Sequence, residues 1–203
     1  MPSSFIGTYV CFIYIGAAFA AVAGGTMVTR YGGIHVSQGC LILAAIGLML
    51  SAVANFWCIC LGGLLLGLSY GPITPASSDI LAHTVPKERM GFVFSLKQTA
   101  VPLGSALAGF IVPSVALWAN NWQAGPHVMA IFALSVALLV LYHRSSLDDH
   151  FDPRSRFSIH TVLNALRLVT SQVGLRRMCI VSFVYNGTQM CVFSYCLLYT
   201  SDA

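Results

Sequence analysis

Six apolar stretches alternate with polar ones along this chain, over residues 5–26, 34–54, 56–81, 89–113, 126–142 and 176–199. Each is near the roughly 20 residues that an α-helix needs to cross about 30 Å of hydrocarbon. The fifth is short at its start, where Trp118, Trp122 and Pro126 mark an interface, and Trp57 stands at another helix end, where aromatic belts form. The pattern predicts an all-α fold, a polytopic transmembrane helix bundle with six spans.

Charge supports the same count. Of ten Lys and Arg residues, all but Lys97 lie outside the apolar segments or at their ends. Arg30 follows the first span, and Lys87 and Arg89 follow the third. Arg144, Arg154, Arg156, Arg167, Arg176 and Arg177 lie between the fifth and the sixth. The opposite loops, around Asn55 and over 114–125, hold no Lys or Arg. The positive-inside rule therefore puts the basic loops in the cytoplasm and both ends of the chain outside. No positively charged segment precedes the first span, which reads as a retained helix rather than a signal peptide.

Composition agrees: 203 residues, 57% hydrophobic, 8% charged, with mean hydropathy +0.80. Soluble domains carry about 25% charged residues. A net charge of +4, dispersed in loops, excludes a nucleic-acid partner. The long connection 143–175 combines Asp148, Asp149, Asp152, Arg154 and Arg156 with an apolar-periodic stretch, 159–169, that fits a helix lying on the membrane surface. Its place, late and before a single last span, fits a linker between two bundles, with an ordinary loop as the alternative.

Gly63, Gly67, Gly71 and Pro75 recur every four residues in the third span, and Gly16, Ala20 and Gly24 repeat the device in the first. Such faces allow close helix contact. Within Gly71-Pro72-Ile73-Thr74-Pro75 the two prolines distort the helix and free carbonyls, which serve either for bending or for binding a solute.

Lys97 carries the sharpest chemistry. Counted from Arg89 it lies eight residues into the fourth span, about 12 Å deep. A charge there is expensive unless it faces protein or water, so it is a functional candidate. Phe94, Lys97, Val101, Gly104 and Ala108 share one stripe; Ser95, Gln98, Pro102, Ser105 and Gly109 share the next. Gln98 and Thr99 would add neutral hydrogen bonds to an anionic solute held by the ammonium. Two other readings stay open: the stem snorkels to the headgroups, or the ammonium pairs structurally with Asp79 or another acid.

Asp79, His83, Lys87, Glu88 and Arg89 cluster at the cytoplasmic end of the third and fourth spans, either as a gating network or as plain loop solvation. In the sixth span Tyr185, Asn186 and Gln189 form a polar cluster, with Tyr185 and Gln189 on one face. The six histidines are scattered without ligand spacing, so neither a metal nor another cofactor is expected. The seven cysteines (11, 40, 58, 60, 179, 191, 196) read as small packing residues. No phosphate-cradling Gly loop is present, and no nucleophile with base and orienter can be assembled, so the chain is not expected to be an enzyme.

The stretch Gly25-Thr26-Met27-Val28-Thr29-Arg30-Tyr31-Gly32 resembles the major facilitator signature between that family's second and third helices, Gly-x-x-x-Asp-Arg-x-Gly. Gly25, Arg30 and Gly32 match; Thr29 stands where the acid belongs, and the basic residues that usually follow Gly32 are absent. Residues 67–76 resemble the fourth family helix. Residues 97–109 resemble the fifth in a branch of bacterial permeases that includes cyanate-type and other organic-anion carriers. The resemblance implies that the spans are family helices two to seven of twelve. It assigns 1–142 to five helices of the N-terminal bundle, 143–175 to the cytoplasmic inter-bundle loop and 176–203 to the truncated first helix of a C-terminal bundle. The chain then reads as a fragment, and its ending, 196–203, resembles translated sequencing adapter.

The resemblance further implies a secondary transporter of the bacterial inner membrane, working by alternating access on a small organic solute, an anion by the charge of Lys97, with a coupled proton as an option. Lys97, Gln98, Thr99, Tyr185, Asn186 and Gln189 would contact the solute. Gly25, Arg30, Gly32, Gly71, Pro72, Pro75, Asp79, Arg89 and Pro102 would gate or bend. Its partners are the small-molecule substrate and the lipid bilayer, with no obligate protein partner. The rivals are a proton-coupled exporter of neutral or cationic compounds and a membrane fragment that transports nothing.

Overall fold

The computed structural model describes residues 4–142, 163, 167–168 and 170–201. The chain divides into two compact units, 1–157 and 158–203. The first holds α1 (Ser4–Tyr31), α2 (Gly33–Ser51), α3 (Phe56–Thr84), a 3₁₀ turn (Lys87–Arg89), α4 (Met90–Trp118) and α5 (Ala124–Tyr142). The second holds α6 (Val173–Ser201). The surface helix expected over 159–169 falls mostly outside the described residues.

α1 runs further than expected. The segment 27–30, outside the span 5–26 expected from sequence, is helical, and hydroxyls near this end serve the helix: Thr26 Oγ1 donates to the Ala23 carbonyl and Thr29 Oγ1 to the Gly25 carbonyl, both at 2.8 Å. A lone Gly costs a helix about 1 kcal/mol and does not end it. The break falls on Gly32, at φ 83° and ψ 151°, a backbone region open essentially to glycine alone. Its N–H closes α1 on the Val28 carbonyl (2.8 Å) and its carbonyl accepts the Val36 N–H (3.2 Å) to open α2. One residue therefore reverses the chain.

α3 starts on Asn55, whose side chain caps the Trp57 N–H at 3.0 Å. It ends at Val85, held extended by the following Pro86. Four prolines, Pro72 and Pro75 in α3 and Pro102 and Pro113 in α4, sit inside helices that continue past them. α5 begins two residues before Pro126, a position where a missing N–H costs nothing.

Burial follows small size instead of greasiness. Ala76 and Ala130 are fully buried, and Ala45, Ala52, Ala137, Cys40 and Cys60 nearly so, while Phe19 is 72% exposed and Trp118 89%. In a water-soluble protein this would be inside out. Hydrocarbon is as apolar as Leu, so large side chains gain little by burial there and small ones let backbones approach. Among the described residues, α1–α5 are long and apolar enough to cross a membrane. The 29-residue α6 matches them in length, with Tyr185, Asn186, Thr188 and Gln189 interrupting its apolar run.

The most extensive packing is α1 against α3, then α2 against α3, with α5 on α2 and α4 on α5. The four-residue glycine repeats meet one another. A methyl group on Gly16 would stand 2.5 Å from the Leu64 carbonyl oxygen, one on Gly24 3.1 Å from Pro72 Cα, and one on Gly71 2.6 Å from the Ala21 nitrogen. At Gly67 it would collide with the Ile13 carbonyl. At the end away from Arg30, Lys87 and Arg89, Tyr9 Oη meets Ser51 Oγ at 3.0 Å, and Gln123 Nε2 donates to the Ala52 carbonyl at 2.9 Å. The first bond ties α1 to the end of α2, and the second joins the turns around residues 52 and 120–123 at the Trp57 and Trp122 end.

Candidate substrate site around Lys97

α4 presents Lys97 toward α3. Its Nζ donates to Ser78 Oγ at 2.8 Å and to the Thr74 carbonyl at 3.3 Å, and lies 5.4 Å from the centroid of the Phe94 ring. The half-buried ammonium is thus turned sideways into the bundle. Thr74 and Ser78 are one helical turn apart, and Ser78 Oγ donates its own hydrogen to the Thr74 carbonyl at 2.8 Å. The hydroxyl lone pairs are left to accept from Lys97. Phe94, one turn before Lys97, offers the negative face of its ring to the cation.

The partners of Lys97 are all neutral. Among the described residues no carboxylate pairs with it: Asp79 faces His83, Nδ1 to Oδ1 at 3.7 Å, one turn along its own helix. Pairing with Asp79 is thereby replaced by Ser78, its chain neighbour, because the two point about 100° apart around α3. An ammonium carries three donors, and the described residues occupy two. Thr74 and Ser78 are the residues that sequence reasoning missed; their i, i+4 spacing on α3 was the available signal.

Other candidates lie around or apart from this point. Gln98 is exposed, and Pro102, having no N–H, leaves the Gln98 carbonyl without its helical donor beside Lys97. Thr99 is exposed, and its hydroxyl bonds the Ser95 carbonyl at 2.9 Å on its own helix instead of joining Lys97. In α6, Asn186 Nδ2 donates to the Ser182 carbonyl at 2.8 Å, Tyr185 is exposed and Gln189 half-buried. Gly71 and Pro72 are buried in the α1–α3 contact, with Pro75 beside them against Gly24.

The expected gate residues do not form one network here. Gly25 is exposed with open space around it. Arg30 stacks over Tyr31, its Cζ 5.2 Å from the ring centroid. Arg89 occupies the N-cap of α4 without a side-chain cap bond. Among the described residues, neither arginine nor Lys87 reaches Asp79 or Glu88.

Two further features escaped the sequence. Gln38 on α2 is 7% exposed, and its Nε2 has no hydrogen-bond partner among the described residues. A cavity of about 590 Å³, separate from Lys97, opens between α1 and α2 over Leu68 and Pro72 of α3.

The model of one family, the Major Facilitator Superfamily, matches residues 1–202. The chain belongs to that superfamily. A crystal structure of the peptide transporter POT, a mutant in complex with sulfate, is similar with a TM-score of 0.62 at 16% identity, over 95% of this chain. The chain spans 38% of that transporter's length. Comparison with curated proteins gives no match. Family and fold together make this facilitator a multi-pass membrane protein, as its six apolar stretches predict.

Proposed function

We propose that this facilitator chain forms part of a secondary transporter for a small organic anion, in the manner of cyanate-type and related organic-anion permeases, with Lys97 as the anchor. One observation carries the reading: an ammonium about 12 Å into the bilayer, turned into the bundle and coordinated by a hydroxyl and a carbonyl, neither of which cancels its charge. A polar partner without counter-charge holds the ammonium in place and leaves its field available to an anion. The carbonyl freed by Pro102 and the Gln98 amide supply neutral polarity next to it.

Tyr185, Asn186 and Gln189 of α6, a polar cluster read from the sequence pattern, are assigned to solute contact during alternating access. Thr99, bonded to its own helix, contributes less. The basic residues Arg30, Lys87 and Arg89 support a reading in which the Lys97 side of the site faces the cytoplasm of a bacterial inner membrane. There, Asp79 and these bases would exchange partners as the inner face opens and closes, with Gly32 and the Pro72–Pro75 segment absorbing the bending.

The test replaces Lys97 with Gln in the transporter and measures uptake of small organic anions into proteoliposomes from pH 5 to 8. A loss of about tenfold or more at every pH is expected, the factor that 1.4 kcal/mol represents. Unchanged uptake refutes the assignment. A second reading draws on the same shell: with two of its donors occupied, Lys97 serves as a structural bolt between α3 and α4 in a proton-coupled exporter of neutral or cationic compounds. Export of amphipathic cations that survives Lys97→Gln selects that reading.

A further inference from the structure

α1 and α2 are joined by the single residue Gly32, yet they barely touch; both lean on α3, and the cavity lies in the cleft between them. Phe19, Met27 and Tyr31 line it from α1, and Val36, Cys40 and Leu43 from α2. Its wall is almost wholly apolar. Phe19, Met27 and Tyr31 are exposed, so the cleft is open along its side.

Three facts limit what fills it. First, from Tyr31 to Phe19 is twelve residues of helix, about 18 Å, close to one leaflet of a core about 30 Å thick. The cleft therefore starts at the basic end of the bundle and ends near the midplane. Second, a volume of about 590 Å³ is in the range of about 300–1,000 Å³ that suits a ligand rather than a solvent defect. Third, Arg30 stands at the mouth, its guanidinium stacked on Tyr31, a wall residue. Thr29, where an acid would oppose it, is neutral and bonds the Gly25 carbonyl. No carboxylate among the described residues pairs with Arg30.

An apolar slot one leaflet deep with an uncancelled guanidinium at its rim matches an acyl chain under a phosphate. We propose that the α1–α2 cleft is a binding site for an anionic phospholipid of the leaflet at the basic end, its acyl chain between Phe19 and Leu43 and its phosphate on Arg30. The site is distinct from Lys97 and stands whether or not the transport reading holds. A bound chain would wedge α1 from α2 and so bias the angle at Gly32.

The experiment delipidates the purified protein and adds equal amounts of phosphatidylglycerol and phosphatidylcholine with the same acyl chains. Retained lipid per chain is counted by native mass spectrometry. The parent protein is expected to retain phosphatidylglycerol about fivefold over phosphatidylcholine, the factor one basic residue contributes at an anionic surface. Arg30→Gln should bring the two lipids to parity. Gly39 lines the cleft, and a Cβ there meets nothing within 4 Å, so Gly39→Phe fills the slot and should abolish retention of both, while Gly39→Ala leaves it intact. Retention by Gly39→Phe equal to the parent's, loss in Gly39→Ala, or no preference between the lipids in the parent each overturns the proposal.

Discussion

Lys97 of α4 and Ser78 of α3 are joined by a 2.8 Å hydrogen bond between an ammonium and a hydroxyl, nineteen residues apart in sequence. It is a sparse junction: the two helices otherwise touch little, and α4 buries none of its residues. The bonds of one ammonium, to the Ser78 hydroxyl and the Thr74 carbonyl, therefore hold much of their relative placement.

Removing the hydroxyl should be felt in stability as well as transport. Ser78→Ala leaves the ammonium with only the Thr74 carbonyl, and Lys97→Met removes the charge altogether. Hydrogen bonds to charged groups contribute about 1.5–3 kcal/mol. A double-mutant cycle by thermal unfolding in detergent should return a coupling of at least about 0.5 kcal/mol, the lower end for residues in contact. Additive effects would show that the bond is not formed in solution.

The glycine seam offers a sharp contrast within one helix pair. Gly67→Ala drives a methyl group into the Ile13 carbonyl, and backbone cannot step aside cheaply. A loss of about 1–3 kcal/mol is expected, the usual cost of overpacking. Gly25→Ala, inside the same helix with open space around it, should leave stability unchanged or raise it by up to about 1 kcal/mol, the helix preference for Ala over Gly. Equal melting temperatures for the two variants would contradict the α1–α3 contact.

Gln38 reverses the ordinary expectation for a polar deletion. Its buried Nε2 has no acceptor among the described residues, so it bears the desolvation cost without a bond. Gln38→Leu, similar in volume, should raise the melting temperature or leave it unchanged. A marked drop would reveal a partner for the amide in the folded protein.

Much of the architecture was legible because the bilayer writes it into composition. Apolar runs of helical length, basic residues confined to alternate loops, and the four-residue spacing of Gly63, Gly67 and Gly71 each follow from local rules. Helix ends were less legible. Nothing in Gly25 to Tyr31 stops a helix, and the residue that does, Gly32, is recognised by its positive φ. The site was legible only in its charged member. Lys97 stands out in any apolar run; Ser78 and Thr74 look like ordinary helix hydroxyls until α3 is turned against α4.

The sequence by itself determined that this chain lives in a membrane as a bundle of helices, because hydrocarbon offers backbone N–H and C=O groups no partner outside the helix. Only the tertiary structure decided which groups those helices show one another. Rotation about each helix axis, set where small residues let backbones meet, gave Lys97 the Ser78 hydroxyl instead of the Asp79 carboxylate. The same packing held α1 and α2 apart over Pro72. Neither outcome follows from spacing along one helix, since each depends on the phase between two.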